Sequence, residues 1–171
     1  KCLPKSLKIN VIPLVGEGLA YQRIGLAPSF KNKPMPSGGF IRSIATFVKD
    51  VKAGLLTQHW AQRQKIKALI KQADFTLCIG DVFCLIMGGV SNKKPVYFFP
   101  TAKSDLFMTH SFIEKWLLKR LPNFVFPRDK LTTESLKEAG INVKYFGNPM
   151  MDNLAPKGVV FPKDLALILF F

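Results

Sequence analysis

The sequence predicts an α/β fold in which a mostly parallel sheet is doubly wound, with helices on both of its faces. Short apolar runs alternate with helical patterns, which is the spacing of strands joined by right-handed helical crossovers. The clearest strand is residues 75–82 (FTLCIGDV), because a short apolar run that follows a polar segment and passes into a glycine is typical of a buried parallel strand. Apolar runs at 96–99, 123–126 and 143–146 predict three further strands.

Composition restricts the class of protein. The chain has 171 residues, of which 48% are hydrophobic and 21% charged, so it can form one folded core. A net charge of +14 indicates a phosphate-bearing partner, which could be a nucleic acid, a nucleotide or anionic lipid headgroups. No apolar run has the roughly 18 residues of a membrane-spanning helix. Cys2, Cys78 and Cys84 lack the paired spacing of a zinc site, and we expect free thiols in a reducing cytoplasm.

The first elements along the chain are a strand and a short helix joined by a glycine-rich turn. Residues 6–15 (SLKINVIPLV) have the pattern of a strand that Pro13 breaks near its end, and residues 19–24 predict a helix that ends at Gly25. The G-E-G turn at 16–18 has backbone N–H groups that could meet an anion, although a plain tight turn is the simpler explanation. Residues 28–39 then form a loop rich in turn formers, which we interpret as a binding loop.

A long helical pattern occupies residues 40–72, with Gly54 as a candidate interruption. Its polar positions carry several Lys and Arg residues, and Trp60 lies among them. Two interpretations remain open. An apolar stripe beside a basic face and an aromatic side chain is typical of a helix in a membrane interface. The same pattern also fits a helix that packs on the core and turns a basic side to solvent.

Polar side chains follow each of the four later strands at the point where the strand ends. The helices predicted after the first three of them are residues 83–90, 111–120 and 130–139. Because the carboxyl ends of parallel strands meet at the edge where ligands bind, four such clusters predict a site there. The clusters are Gly80-Asp81, residues 101–105 (TAKSD), Arg128-Asp129 and residues 147–152 (GNPMMD).

The chemistry of these clusters is compatible with binding a phosphorylated sugar. Asp81 alone is most simply the N-cap of the next helix, but it could also act as a general base toward a sugar hydroxyl. Lys103 and Arg128 could hold phosphate or pyrophosphate. The sequence contains no HExxH, CxxC or GxSxG motif, no Walker lysine and no GxGxxG. Metalloproteases, zinc proteins, serine hydrolases, kinases and dehydrogenases therefore have no support.

Six motifs occur in a characteristic order: VIPLVGEGLAYQRIG, MPSGGFIR, IGDV, PTAKSD, FPRDKLTTESLKEAGI and KYFGNPMMDNL. Together they resemble the lipid-A-disaccharide synthase-related proteins, relatives of the synthase that builds the lipid A backbone. The resemblance extends over residues 11–154, and GNPMMD is similar to the GHPxxD element of the synthase. Asn148 stands where the synthase has His, so the resemblance implies sugar transfer more directly than lipid A chemistry.

The resemblance implies the N-terminal half of a GT-B glycosyltransferase, in which two Rossmann-like domains face a cleft. Residues 1–157 would form the acceptor-side domain, without its first strand, and residues 158–171 a linker and the start of a donor-binding domain. The implied reaction transfers a sugar from a UDP-linked or other nucleotide-sugar to a lipid-linked or amphipathic sugar acceptor, with no metal or other cofactor. The implied location is cytoplasmic, at an anionic membrane surface, with no nucleic acid as partner. This chain alone would be inactive, because the donor is held mainly by the second domain.

Asp81 matches the candidate catalytic base of the family. The strand-end clusters and the resemblance together assign substrate binding to Gly16, Glu17, Gly18, Ser37, Gly38, Gly39, Thr101, Lys103, Ser104, Asp105, Arg128, Asn148 and Asp152. Two alternatives remain: a non-catalytic fragment or membrane-surface binding module, and another GT-B enzyme such as a UDP-sugar 2-epimerase, whose motif order fits less well.

Overall fold

A computed structural model describes residues 8–14, 18–23, 25–29, 35–36, 44–89, 94–101 and 103–147. Helices and strands alternate over most of this part of the chain. The elements are α1 (Leu19–Arg23), α2 (Ile44–Lys52), α3 (Leu55–Gln72), β1 (Thr76–Gly80), α4 (Val82–Gly89), β2 (Val96–Pro100), α5 (Phe112–Arg120), β3 (Phe124–Val125) and α6 (Lys130–Glu138). None of the described helices is both long and apolar enough to cross a membrane.

The three strands form an open, all-parallel sheet in the order β1-β2-β3. Cys78 lies opposite Phe98, and Phe98 lies opposite Val125, so every second residue of each strand shares one face of the sheet. The α/β class and the parallel sheet predicted from the sequence are confirmed, and the arrangement is compatible with a Rossmann-like fold.

Two predicted strands are not formed as expected. Within residues 8–14 there is only a single bridge, from Val11 to Pro28. Prolines at 13 and 28 explain this, because neither has the N–H group that a longer ladder would need. The predicted strand 143–146 is likewise reduced to one parallel bridge between Val143 and Val125.

The predicted helix over residues 40–72 is two helices in the described part of the chain. Gly54 separates α2 from α3 with a φ of 98°, a left-handed conformation that glycine adopts without steric cost. The candidate interruption at this residue is therefore confirmed. Leu55, His59, Ile66 and Ile70 of α3 are buried, which favours the core-packing interpretation for that side of the helix.

One face of the sheet carries the core. Leu85 of α4, Leu118 of α5 and Leu136 of α6 pack with the buried face of all three strands, so three successive helices contribute to the same side. This follows from right-handed crossovers that run in one direction along the sheet. The free thiols of Cys78 and Cys84 also lie on this side.

The opposite face of the sheet is largely open. Leu77 and Ile79 of β1 are exposed there. A row of aromatic rings continues across it, with centroid distances of 5.8 Å for Phe75–Tyr97, 6.0 Å for Tyr97–Phe126, 4.6 Å for Phe99–Phe126 and 5.5 Å for Phe126–Phe146. The described residues therefore show the parallel sheet with helices on one face, and helices on both faces, as in a doubly wound sheet, stay a prediction. Residues 148–171, which include the predicted domain boundary, lie outside the described part.

Candidate active site

Asp81 lies directly after β1 and is the first residue before α4. The backbone N–H of Phe83 donates a hydrogen bond of 2.8 Å to Oδ1 of Asp81, which is the geometry of a helix N-cap. The simpler sequence interpretation is therefore observed. Burial raises the pKa of the Asp81 carboxyl above its ordinary value, and it outweighs the backbone N–H groups of Phe83 and Cys84, which lower the pKa.

Lys103, in the segment after β2, forms an ion pair with Glu114 of α5. The distance from Lys103 Nζ to Glu114 Oε2 is 2.6 Å. Glu114 also accepts a hydrogen bond from the backbone N–H of Ser111, and the Ser111 side chain accepts one from the N–H of Glu114, so the two residues form a capping box. Burial raises the pKa of Glu114, but the hydrogen bonds from Lys103 and Ser111 outweigh it and lower the pKa overall.

His110 is buried close to the carboxylate of Asp105, but the two side chains are too far apart to form a hydrogen bond. Its Nδ1 lies 4.0 Å from Oδ1 of Asp105, and neither atom has a hydrogen-bond partner among the described residues. This distance is too long for a hydrogen bond. Burial lowers the pKa of His110, so the imidazole is more readily neutral than an exposed histidine. The pair is a buried acid and base with unused hydrogen-bonding capacity.

A second group of hydrogen bonds fixes the turn that carries Asp105. Asp129 caps α6 by accepting from the Thr132 N–H at 2.7 Å and from the Thr132 hydroxyl at 2.8 Å. The Thr132 oxygen in turn accepts a bond of 2.7 Å from the backbone N–H of Asp105. The turn after β2 is thereby tied to the start of α6. The hydroxyl of Ser104 accepts from the N–H of Leu106 at 3.2 Å within the same turn.

The two cations predicted to hold phosphate are both engaged by the protein. Lys103 pairs with Glu114, as described above. Arg128 donates from Nη1 to the backbone carbonyl of Thr101 at 3.0 Å. An incoming phosphate would have to compete with the carboxylate for Lys103, whereas Arg128 uses one of its five N–H donors in this bond.

A small cavity joins the ends of β1 and β2 to α5. It has a volume of about 10 Å³ and is lined by Gly80, Asp81, Val82, Phe98, Pro100, Lys103, His110 and Glu114. This volume is about that needed for one water molecule. The structure therefore brings Asp81 and Lys103 together, as the strand-end argument predicted.

His110 and Glu114 were not among the residues predicted for the site. A local signal was present, because Ser111-x-x-Glu114 is the sequence of a capping box and places Glu114 one turn into the helix. Among the other predicted residues, Gly18 is closest to Pro13 and Pro28, away from this cavity. Seven more lie outside the described part of the chain: Gly16, Glu17, Ser37, Gly38, Gly39, Asn148 and Asp152.

The site contains acid and base groups at the carboxyl edge of a parallel sheet, and comparison with known proteins adds no assignment. The sequence matches no protein-family model, and no curated protein and no solved structure shows significant similarity to the chain.

Proposed function

We propose that this chain is the acceptor-binding part of a glycosyltransferase related to lipid A disaccharide synthase, with Asp81 as the general base. The observation that carries the proposal is the position of Asp81. It lies at the carboxyl end of β1, on the wall of a cavity that it shares with Lys103, His110 and Glu114. Its pKa is raised by burial, and a carboxylate whose pKa lies nearer neutral pH is the better proton acceptor.

In the proposed reaction Asp81 accepts the proton of an acceptor hydroxyl as the hydroxyl oxygen bonds to the anomeric carbon of the donor sugar. The bond from that carbon to the nucleotide diphosphate breaks on the opposite side, and the diphosphate leaves with the bonding electrons. This single displacement inverts the configuration at the anomeric carbon. A cavity of about 10 Å³ admits one hydroxyl oxygen in place of a water, with the sugar ring outside it.

Lys103 and Glu114 act on Asp81 in opposite directions. The Lys103 ammonium lowers the pKa of Asp81, and the Glu114 carboxylate raises it. Because the two charges are paired 2.6 Å apart, their net effect on Asp81 is small and burial decides the direction of the shift. The role that this arrangement supports for Lys103 is to hold the wall of the cavity, rather than to bind a donor phosphate at rest.

A non-catalytic membrane-surface module is the second candidate, and the helix cap favours it. The Oδ1 atom of Asp81 is used by the Phe83 N–H, so a purely structural role would account for an Asp at this position. In that case the polar strand ends would bind a lipid headgroup without transferring a sugar, and the location at the cytoplasmic membrane face would be kept.

Product analysis separates the two candidates. The full-length protein, with the donor-binding domain that the proposal requires, is incubated with a panel of nucleotide-sugars and a lipid extract, and the lipids are examined by mass spectrometry for the mass of one added sugar. The glycosyltransferase proposal predicts such a product from at least one donor, with inverted anomeric configuration by NMR. Lipid binding without any sugar addition across the donor panel would contradict it and favour the non-catalytic module.

A further inference from the structure

Four strongly exposed apolar residues lie close together in the chain, beside Lys103, His110 and Glu114 of the cavity wall. Leu106 and Phe107 occupy the turn after β2, and Phe112 and Ile113 begin α5. Their side chains are between 69% and 88% exposed. With the half-exposed Trp116 one turn further along, these five residues are called the α5 patch. Single exposed apolar residues are common, but a contiguous group usually marks an interaction surface.

Helix α5 has its larger apolar side chains on the outside. Leu118 is its one fully buried residue and packs in the core, and Glu114 points inward to Lys103. Phe112 and Trp116, four residues apart, lie on the other side of the helix and are exposed. A helix that served only the core would place such side chains toward it, so the outward face of α5 serves another contact.

The charges on this face are positive. Lys119 and Arg120 lie in the last turn of α5, and the Arg120 guanidinium lies 4.5 Å from the centre of the Trp116 ring. The single acidic residue of the helix, Glu114, is paired with Lys103 and does not offset them. Aromatic side chains flanked by Lys and Arg are the composition of surfaces that rest in the headgroup region of anionic bilayers.

Hydrogen bonds within the protein hold the turn that carries Leu106 and Phe107. Met108 N–H donates to the Ser104 carbonyl at 2.7 Å, which closes the turn beneath Leu106 and Phe107. The bond from Asp105 N–H to Thr132 Oγ1 ties this turn to α6. Because this turn is already ordered, little conformational entropy is lost when its side chains are buried against a partner.

We propose that the α5 patch is a membrane-docking surface that inserts Leu106, Phe107, Phe112 and Ile113 into the interface of an anionic bilayer. A bilayer suits side chains that stand clear of the protein, because lipids can close around each of them, whereas a flat protein partner cannot. The exposed side of α3, with Leu56 and Trp60, is the competing contact, and the experiment below compares the two surfaces. The proposal does not depend on the chemistry at Asp81.

Vesicle co-sedimentation tests the proposal, with phosphatidylcholine vesicles beside vesicles that also contain phosphatidylglycerol. The double variant Phe107→Ser/Phe112→Ser is compared with Leu56→Ser/Trp60→Ser, which removes the two exposed apolar residues of α3. Each phenylalanine withdrawn from the interface should weaken binding about tenfold or more, and the α3 variant should bind as the natural sequence does. Circular dichroism and melting temperature confirm that both variants are folded.

The charge contribution is tested with Lys119→Ala and Arg120→Ala. Each should weaken binding to the anionic vesicles about fivefold and leave binding to neutral vesicles unchanged. The proposal is overturned if the patch variant binds as the natural sequence does, or if the α3 variant loses as much affinity as the patch variant. It is also overturned if the patch variant changes only the oligomeric state in light scattering, since the patch would then contact a second copy of the chain.

Discussion

The ammonium group of Lys103 lies 2.6 Å from a carboxylate oxygen of Glu114, and this contact joins the segment after β2 to the first turn of α5. The same carboxylate oxygen accepts from the Ser111 N–H, so one atom serves a helix cap and an ion pair. The contact closes one side of the cavity at Asp81. It also fixes the side of α5 that faces inward, and with it the outward position of the α5 patch.

Replacing Lys103 by Met should lower stability at neutral pH and leave it nearly unchanged in acid. The pKa of Glu114 is lowered in the folded chain, so its contribution is present above its ordinary pKa of about 4.3 and is lost as the pH falls through the lower folded value. Because water partly screens the pair, we expect a loss of about 1 kcal/mol at pH 7.

Thermal unfolding from about pH 3 to about pH 7 measures this difference, with the exposed Lys130→Met as a control for charge removal. The melting temperatures of Lys103→Met and the natural sequence should converge as the pH falls. A difference in melting temperature that stays constant across this pH range would show that the pKa of Glu114 does not depend on Lys103.

Asp81→Asn should be at least as stable as the natural sequence at pH 7. Asn is as good an N-cap as Asp, so the bond to the Phe83 N–H is kept. The folded pKa of Asp81 is raised, so the natural protein loses stability as the pH rises from its ordinary value of about 3.9 through the folded value. The Asn variant has no such loss. The difference in melting temperature, variant minus natural sequence, should therefore increase from acid to neutral pH, and a decrease would contradict the raised pKa.

Two substitutions in α5 test which of its sides packs on the core. Leu118 is 1% exposed and Phe112 is 84% exposed. Leu118→Ala should cost about 2–5 kcal/mol through the lost burial and the cavity left behind. Phe112→Ala removes a larger side chain but should change the free energy of unfolding by about 0.5 kcal/mol or less. Urea unfolding of both variants gives the two values, and equal losses would show that Phe112 is packed.

Local signals in the sequence account for the elements that were predicted well. Strands β1 and β2 are apolar runs, and the start of α6 is marked by Asp129, which caps it through the Thr132 N–H. The failures involve partners that are far apart in sequence. Residues 8–14 have the apolar pattern of a strand, but their one bridge is to Pro28, and no pattern within the segment identifies the residue it will pair with.

The site was predicted in part for the same reason. Strand ends are recognisable in the sequence, which therefore predicts Asp81 and Lys103 at one edge of the sheet, and both line the cavity there. The pairing of Lys103 with Glu114, eleven residues later, depends on how α5 packs, and this also brings His110 into the cavity wall. The hydrophobic pattern of α5 does not show which side of the helix packs on the core, because Leu118 on one side and Phe112 on the other are both apolar.

Asp81 is proposed as the general base of sugar transfer, and the turnover of Asp81→Asn in the full-length protein, with its donor-binding domain, tests this role. Asp74→Asn is the matched control, because it makes the same chemical change at an exposed residue before β1. We expect Asp81→Asn to lower kcat by about 10²–10⁴-fold with acceptor binding retained, and Asp74→Asn to leave kcat unchanged. Turnover of Asp81→Asn within a few-fold of the natural protein, with acceptor binding unchanged, would contradict the claim.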